Sequence, residues 1–203
     1  MSVSPVSWPF CATGILLKPS YIRSSTEFGA QSHEFGSAHW MLEASFKPSF
    51  TEAERSAYET LIHDNNGRGL FGVFDRRRPK PLALIGTGAA VPALTVTGTS
   101  KVGTITVTGT AGDVISRGDP IGFTHNNRRH YYKFKDTVAL TGVADVLRVF
   151  ISPRVDLAGI SAAAERDRPE CYFNVQINDV EGITDLRQTP ITLVGREYFG
   201  DVL

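Results

Sequence analysis

Along most of the chain, short runs of Thr, Val, Ile and Phe alternate with polar positions. Gly, Pro, Asn and Asp separate the runs, the signature of strands joined by turns. Residues 15–17 and 21–23 read as short strands. Residues 40–46, led by Trp40, alternate well enough for a half-buried strand, which Pro48 stops. One segment has helical spacing instead. Thr51-Glu52-Ala53-Glu54 is a capping box, Ala53, Ala57, Tyr58, Leu61 and Ile62 share a face, and Asn65-Asn66-Gly67 supplies a left-handed stop. This predicts a helix over 51–64. Residues 70–74 follow as a strand, and Asp75 opens a turn into Arg76-Arg77-Arg78-Pro79.

Beyond Pro81 the chain becomes rich in Thr, Val and Gly. Thr95-Val96-Thr97-Gly98-Thr99 returns as Thr106-Val107-Thr108-Gly109-Thr110, too few copies for a solenoid but well suited to strands with one wet face. Turns at Arg117-Gly118-Asp119-Pro120 and Asn126-Asn127 flank a strand over 121–124, and strands follow over 130–134, 137–140 and 146–151. Residues 156–168 read as a polar, alanine-bearing connection. Two further strands cover 171–177 and 190–198, the latter with Ile191, Leu193 and Val194 as its inward candidates. The expected fold is mainly β: a β-sandwich-like, discontinuous domain from 1–82 plus 155–203, with the one helix, and an inserted, small, all-β, barrel-like domain over 83–154.

Composition narrows the function. Lys plus Arg and Asp plus Glu each number 21 in 203 residues, so the net charge is zero. A nucleic-acid binder usually carries a basic excess, and none is expected as a partner. The 41% hydrophobic content exceeds that of disordered chains. No apolar run approaches the ~20 residues that cross a bilayer, so membrane insertion is not expected. The first ten residues hold Pro5 and Pro9 but no Lys or Arg, unlike a signal peptide.

Candidate chemistry is sparse. Gly86-Thr87-Gly88 lacks the third glycine and following helix of a dinucleotide turn, since Val91 and Pro92 stand there. Neither a Gly-x-Ser-x-Gly nor a phosphate loop occurs. Cys11 and Cys171 have no base or orienting group nearby in sequence; whether they pair stays open. His125 and His130 flank a turn and could face each other, but no third ligand accompanies them, and an exposed hairpin is the simpler reading. No catalytic residue, cofactor or metal is therefore expected. The densest charges are Arg76-Arg77-Arg78 and Arg128-Arg129, read as solvated turns or as subunit-interface candidates that meet carboxylates. Asp75, Asp113, Asp119, Asp136 and Asp145 read as turn residues. Tyr131 and Tyr132 are receptor-contact candidates, since aromatic rings stack on sugars.

Three stretches, taken in order, resemble the minor tail proteins of tailed bacteriophages. The first is the strand over 40–46 with Thr51-Glu52-Ala53-Glu54 behind it. The second runs from Gly67-Arg68-Gly69-Leu70-Phe71-Gly72 through Val73-Phe74-Asp75 to Pro79. The third is Ser116-Arg117-Gly118-Asp119-Pro120-Ile121, then Tyr131-Tyr132-Lys133-Phe134, then Val149-Phe150-Ile151-Ser152-Pro153-Arg154. Pro120 and the order Arg154-Val155 depart from the family pattern. The resemblance implies a non-enzymatic virion protein of the distal tail, or baseplate hub ring. It would be a homohexamer at the phage tail tip, assembled in the host cytoplasm, with the tail tube, baseplate hub and tail fibre proteins as partners. A tail-tube or tail-terminator subunit and a carbohydrate-binding tail module are the alternatives. A β-rich chain offers strand edges to its neighbours, and a neutral one does not repel its copies.

Overall fold

The computed structural model describes residues 6–7, 14–20, 39–46, 68–98, 103–150, 157–176 and 191–198. The helix expected over 51–64, the strand over 21–23, and Cys11 lie outside them. Among the described residues every regular element is a strand except one 3-10 turn, and the protein is mainly β. The chain divides into two compact units. One comprises Met1–Lys18, Trp40–Val73 and Tyr172–Leu203; the other comprises Pro19–His39 and Phe74–Cys171. The second is wider than the 83–154 segment marked out by composition.

The first unit is built on a mixed six-stranded sheet. Its strands are β1 (Val6–Ser7), β2 (Gly14–Ser20), β3 (His39–Phe46), β4 (Arg68–Val73), β13 (Cys171–Gln176) and β14 (Ile191–Glu197), in the order β1-β4-β13-β14-β3-β2. β1 runs parallel to β4, while β14 is antiparallel to both β13 and β3. Trp40 and Leu42 are buried, as expected of a strand with one wet face, and the Trp40 N–H donates to Glu197 Oε2 at 2.8 Å. Val194 is exposed and does not face inward; the buried neighbour is Gly195, pressed between Val175, Phe173 and Leu42. A side-chain period of two allows only one of the adjacent pair inside.

The second unit carries β5 (Leu94–Gly98), β6 (Thr104–Gly109), β7 (Val114–Ile115), β8 (Pro120–His125), β9 (Arg128–Lys133), β10 (Val138–Ala139), β11 (Asp145–Arg148) and β12 (Ala162–Ala164). The internal repeat folds on itself. β5 and β6 pair antiparallel, with Val96 opposite Val107, and a bulge falls between Val96 and Gly98. The alternating Val and Leu positions of these strands are buried, while most of the Thr positions lie half-exposed. β8 and β9 form a hairpin whose two-residue turn, Asn126-Asn127, has φ of 49° and 57°. Asn tolerates that left-handed backbone, and the turn's twist matches the strands it joins. β11 pairs β6, and β12 pairs β5. β10 pairs antiparallel with β7, and two single bridges add Phe134 to Val149 and Glu165 back to Gly122 of β8. Leu94, Val96, Ile105, Val107, Ile121, Phe123, Tyr132, Phe134, Leu147 and Val149 fill the interior.

Candidate functional site

The arginines and carboxylates singled out in the sequence meet within the second unit. Asp75 follows β4, where the apolar run ends. Its Oδ1 accepts the Arg77 N–H at 3.0 Å and its backbone carbonyl accepts the Arg78 N–H at 3.0 Å, closing a turn. Its Oδ2 accepts from Lys133 Nζ at 2.5 Å. The same turn aims Arg78 at Asp119, with Nη1 to Oδ1 at 2.8 Å. Asp119 is only 1% exposed and accepts two backbone donors as well, Ser116 N–H at 2.8 Å and Leu82 N–H at 2.9 Å. It therefore ties three segments together: the Arg78 turn, the start of the following loop, and its own turn before β8. Gly118, at φ +85°, permits the tight path that brings Asp119 inward, and the Arg78 guanidinium lies 3.7 Å from the place a Cβ would occupy.

Two further buried arginines complete the framework. Arg166 pairs with Asp113, and its Nη1 also donates to the Pro92 carbonyl at 3.3 Å. Arg129 pairs with Glu165, and its Nε donates to the Glu170 carbonyl at 2.9 Å. Gly122 leaves room for this guanidinium: a Cβ there would stand 2.6 Å from Arg129 Nη2 and 3.0 Å from Pro169 Cβ. Gly122→Ala is expected to cost about 1–3 kcal/mol through overpacking, measured by denaturant unfolding. An unchanged midpoint would show that the guanidinium gives way freely. On the surface, Arg148 grips Asp136 with two bonds, at 2.7 and 2.5 Å, and holds its carboxyl below the usual range.

Of the five arginines proposed as interface residues, Arg76, Arg77 and Arg128 are exposed. Arg77 pairs with Asp75 at 3.5 Å, while Arg78 and Arg129 are engaged within the second unit by Asp119 and Glu165. Tyr131 and Tyr132 correct the receptor-contact reading, because both rings are buried and β9 has a buried face on either side. Tyr132 joins the core with Phe123 and His130. His125 and His130 do approach across the hairpin, with ring centroids 6.5 Å apart. His130 is nevertheless buried rather than exposed, stacked 5.0 Å from Phe123. Burial above all, then the charges of His125, Arg128 and Arg129, push its pKa down to about 4. Its Nδ1 lies 3.4 Å from the Tyr132 hydroxyl, and Nε2 is buried without a hydrogen-bond partner among the described residues.

Among the described residues no three His, Cys, Asp or Glu side chains converge as a metal site would require. The framework's chemistry is charge pairing that fixes loops. Lys133, Glu165 and Arg166 belong to it but carried no local signal as charge partners, since each meets its partner more than 30 residues away. No protein-family profile matches the chain, and no curated protein is similar to it.

Proposed function

We propose that the protein is a structural subunit of a phage tail tip, a distal-tail or baseplate ring protein joining the tail tube to the hub and fibre components. In this reading the first unit supplies the sandwich-like, ring-forming domain. The strand pairing of the second unit, which returns to β8, corresponds to the barrel-like insertion. The supporting observation is the pairing of the motifs that carry the resemblance. Asp75 and Arg78 of the second stretch bond Lys133 and Asp119 of the third, so the stretches form one local framework, not unrelated matches. A framework that spends its charges on rigid loops suits a scaffold whose surface must fit copies of itself. Purified protein is expected to assemble into single-layer rings with six subunits, seen by negative-stain microscopy and weighed by mass photometry. A strict monomer that is also absent from particles would overturn the reading, and an indefinitely growing tube would favour a tail-tube subunit.

A further inference from the structure

Between Pro81 and β5 the chain runs through an uncharged loop, residues 82–93, made of Leu, Ile, Val, Ala, Gly, Pro and a single Thr. It begins with the 3-10 turn η1 (Leu82–Leu84). Residues 82, 83, 85–90 and 93 are exposed, led by Leu82 at 51% and Ile85 at 42%. Apolar side chains of this size held in water mark a contact surface. Both ends of the loop are fixed. Asp119, itself paired with Arg78, accepts the Leu82 N–H, and Arg166, paired with Asp113, donates to the Pro92 carbonyl.

Two properties of the loop fit a lipid surface. The first is that it supplies hydrogen bonds to itself. The Leu84 N–H donates to the Pro81 carbonyl at 2.9 Å, the Ile85 N–H to the Leu82 carbonyl at 3.3 Å and the Thr87 N–H to the Leu84 carbonyl at 3.3 Å. Thr87 Oγ1 donates to the Leu84 carbonyl at 2.9 Å and accepts the Ala89 N–H at 3.2 Å. A protein partner offers donors and acceptors to a loop's backbone, whereas hydrocarbon offers none, so bonds made within the loop lower the cost of entering lipid. The second property is the charge at its foot. Arg78 and the Leu82 N–H share Asp119 Oδ1, so the arginine turn lies where the loop begins. Arg76 and Arg77 are exposed on that turn, and Lys80 follows it. The Arg168 N–H donates to the Pro79 carbonyl at 2.6 Å, adding another exposed cation. Of the neighbouring carboxylates, Asp75 and Asp119 are buried and paired with cations, while Asp167 is exposed. Cations beside exposed apolar side chains match anionic headgroups beside acyl chains.

We propose that the 82–93 loop inserts into the interface of an anionic lipid bilayer, with Leu82 and Ile85 among the upper acyl chains and Arg76, Arg77, Lys80 and Arg168 against the headgroups. Twelve residues of loop are too few to cross a bilayer, so the contact is interfacial. The proposal goes beyond the ring reading and does not depend on it. The test mixes the full chain with phosphatidylcholine vesicles made with and without phosphatidylglycerol. Co-sedimentation is expected to show binding to the anionic vesicles and weaker binding to the neutral ones. Leu82→Ser with Ile85→Ser is expected to weaken binding about tenfold or more, because two apolar side chains lose their transfer into lipid. Arg76→Gln with Lys80→Gln is expected to weaken it about fivefold per charge, on the anionic vesicles alone. Circular dichroism checks that each variant folds. In Ile85→Trp the new indole is expected to shift to the blue on vesicles, and lipids brominated on their acyl chains are expected to quench it, beyond any change in the wild type. No binding of the wild type to anionic vesicles, binding that survives Leu82→Ser with Ile85→Ser, or an Ile85→Trp emission that vesicles leave unchanged would overturn the insertion. Neutral vesicles bound as tightly as anionic ones would overturn the part given to the basic turn. A ring lost in Leu82→Ser with Ile85→Ser, from a wild type that ignores vesicles, would assign the loop to a second copy of the chain instead. Rings without vesicle binding reject this contact alone, and vesicle binding by a strict monomer rejects the ring alone.

Discussion

Asp119→Ala is expected to lower the stability of the protein by about 3–5 kcal/mol, the usual result of removing one member of a buried ion pair. The carboxylate accepts the Arg78 guanidinium and two backbone N–H groups, those of Ser116 and Leu82. Alanine leaves all three donors without it, and each buried unpaired backbone donor alone costs roughly 1–3 kcal/mol. Water can reach Arg78, whose side chain is about a quarter exposed, so the guanidinium loses less than the two N–H groups. Denaturant unfolding at neutral pH measures the loss. Arg148→Ala is the control, because its pair with Asp136 lies at the surface and its removal is expected to leave the midpoint in place. Equal midpoints for wild type and Asp119→Ala would mean that Asp119 does not hold the three segments together. The same variant is expected to loosen the 82–93 loop, raising amide exchange at Leu82 and Leu84.

Acidification from pH 7.5 to 4.5 is expected to remove about 2.5 kcal/mol of stability through His130 alone. The imidazole is stacked on Phe123 and lies beside Tyr132, among His125, Arg128 and Arg129, and these surroundings hold its pKa at about 4 against an ordinary 6.5. A depressed histidine pKa means that the folded state favours the neutral ring. Its contribution is therefore complete above pH 6.5 and falls away between 6.5 and 4, where the unfolded chain takes up the proton first. At roughly 1.36 kcal/mol per pK unit the full loss, below pH 4, approaches about 3.4 kcal/mol. His130→Phe has no proton to take up. Unfolding both proteins at pH 7.5 and 4.5 isolates the effect, because every titratable group except residue 130 is common to both. If the two proteins lose the same stability, burial of His130 does not govern this window.

The two buried arginines, Arg129 on β9 and Arg166 beyond β12, each tie together segments distant in sequence. Arg166 sits just past β12, and Asp113 just before β7, so the pair ties the end of β12 to the turn between β6 and β7. Arg129 and Glu165 link β9 to the end of β12, beside the Gly122–Glu165 bridge that joins these strands. Backbone pairing and charge pairing thus reinforce each other at the same junction.

The sequence by itself determined the strands and the turns between them. Alternation marked β3, β5, β6, β8, β9, β13 and β14, because a period of two is a local property of a half-buried strand. Asn126-Asn127 and Gly118 announced their turns for the same reason: left-handed backbone has few residues to choose from. β12 was hidden, since Ala162-Ala163-Ala164 has little preference for a strand and becomes one only by pairing with β5. The burial of Tyr131 and Tyr132 was hidden too. An alternating strand normally has one wet face, and β9 lost its wet face when the Gly122, Arg129 and Glu165 side of the hairpin was covered. The arginine clusters were legible as charge, but their division into exposed Arg76, Arg77 and Arg128 and the more deeply placed Arg78 and Arg129 was not. That division depends on carboxylates 36 to 41 residues away, whose approach only the strand pairing of the second unit decides.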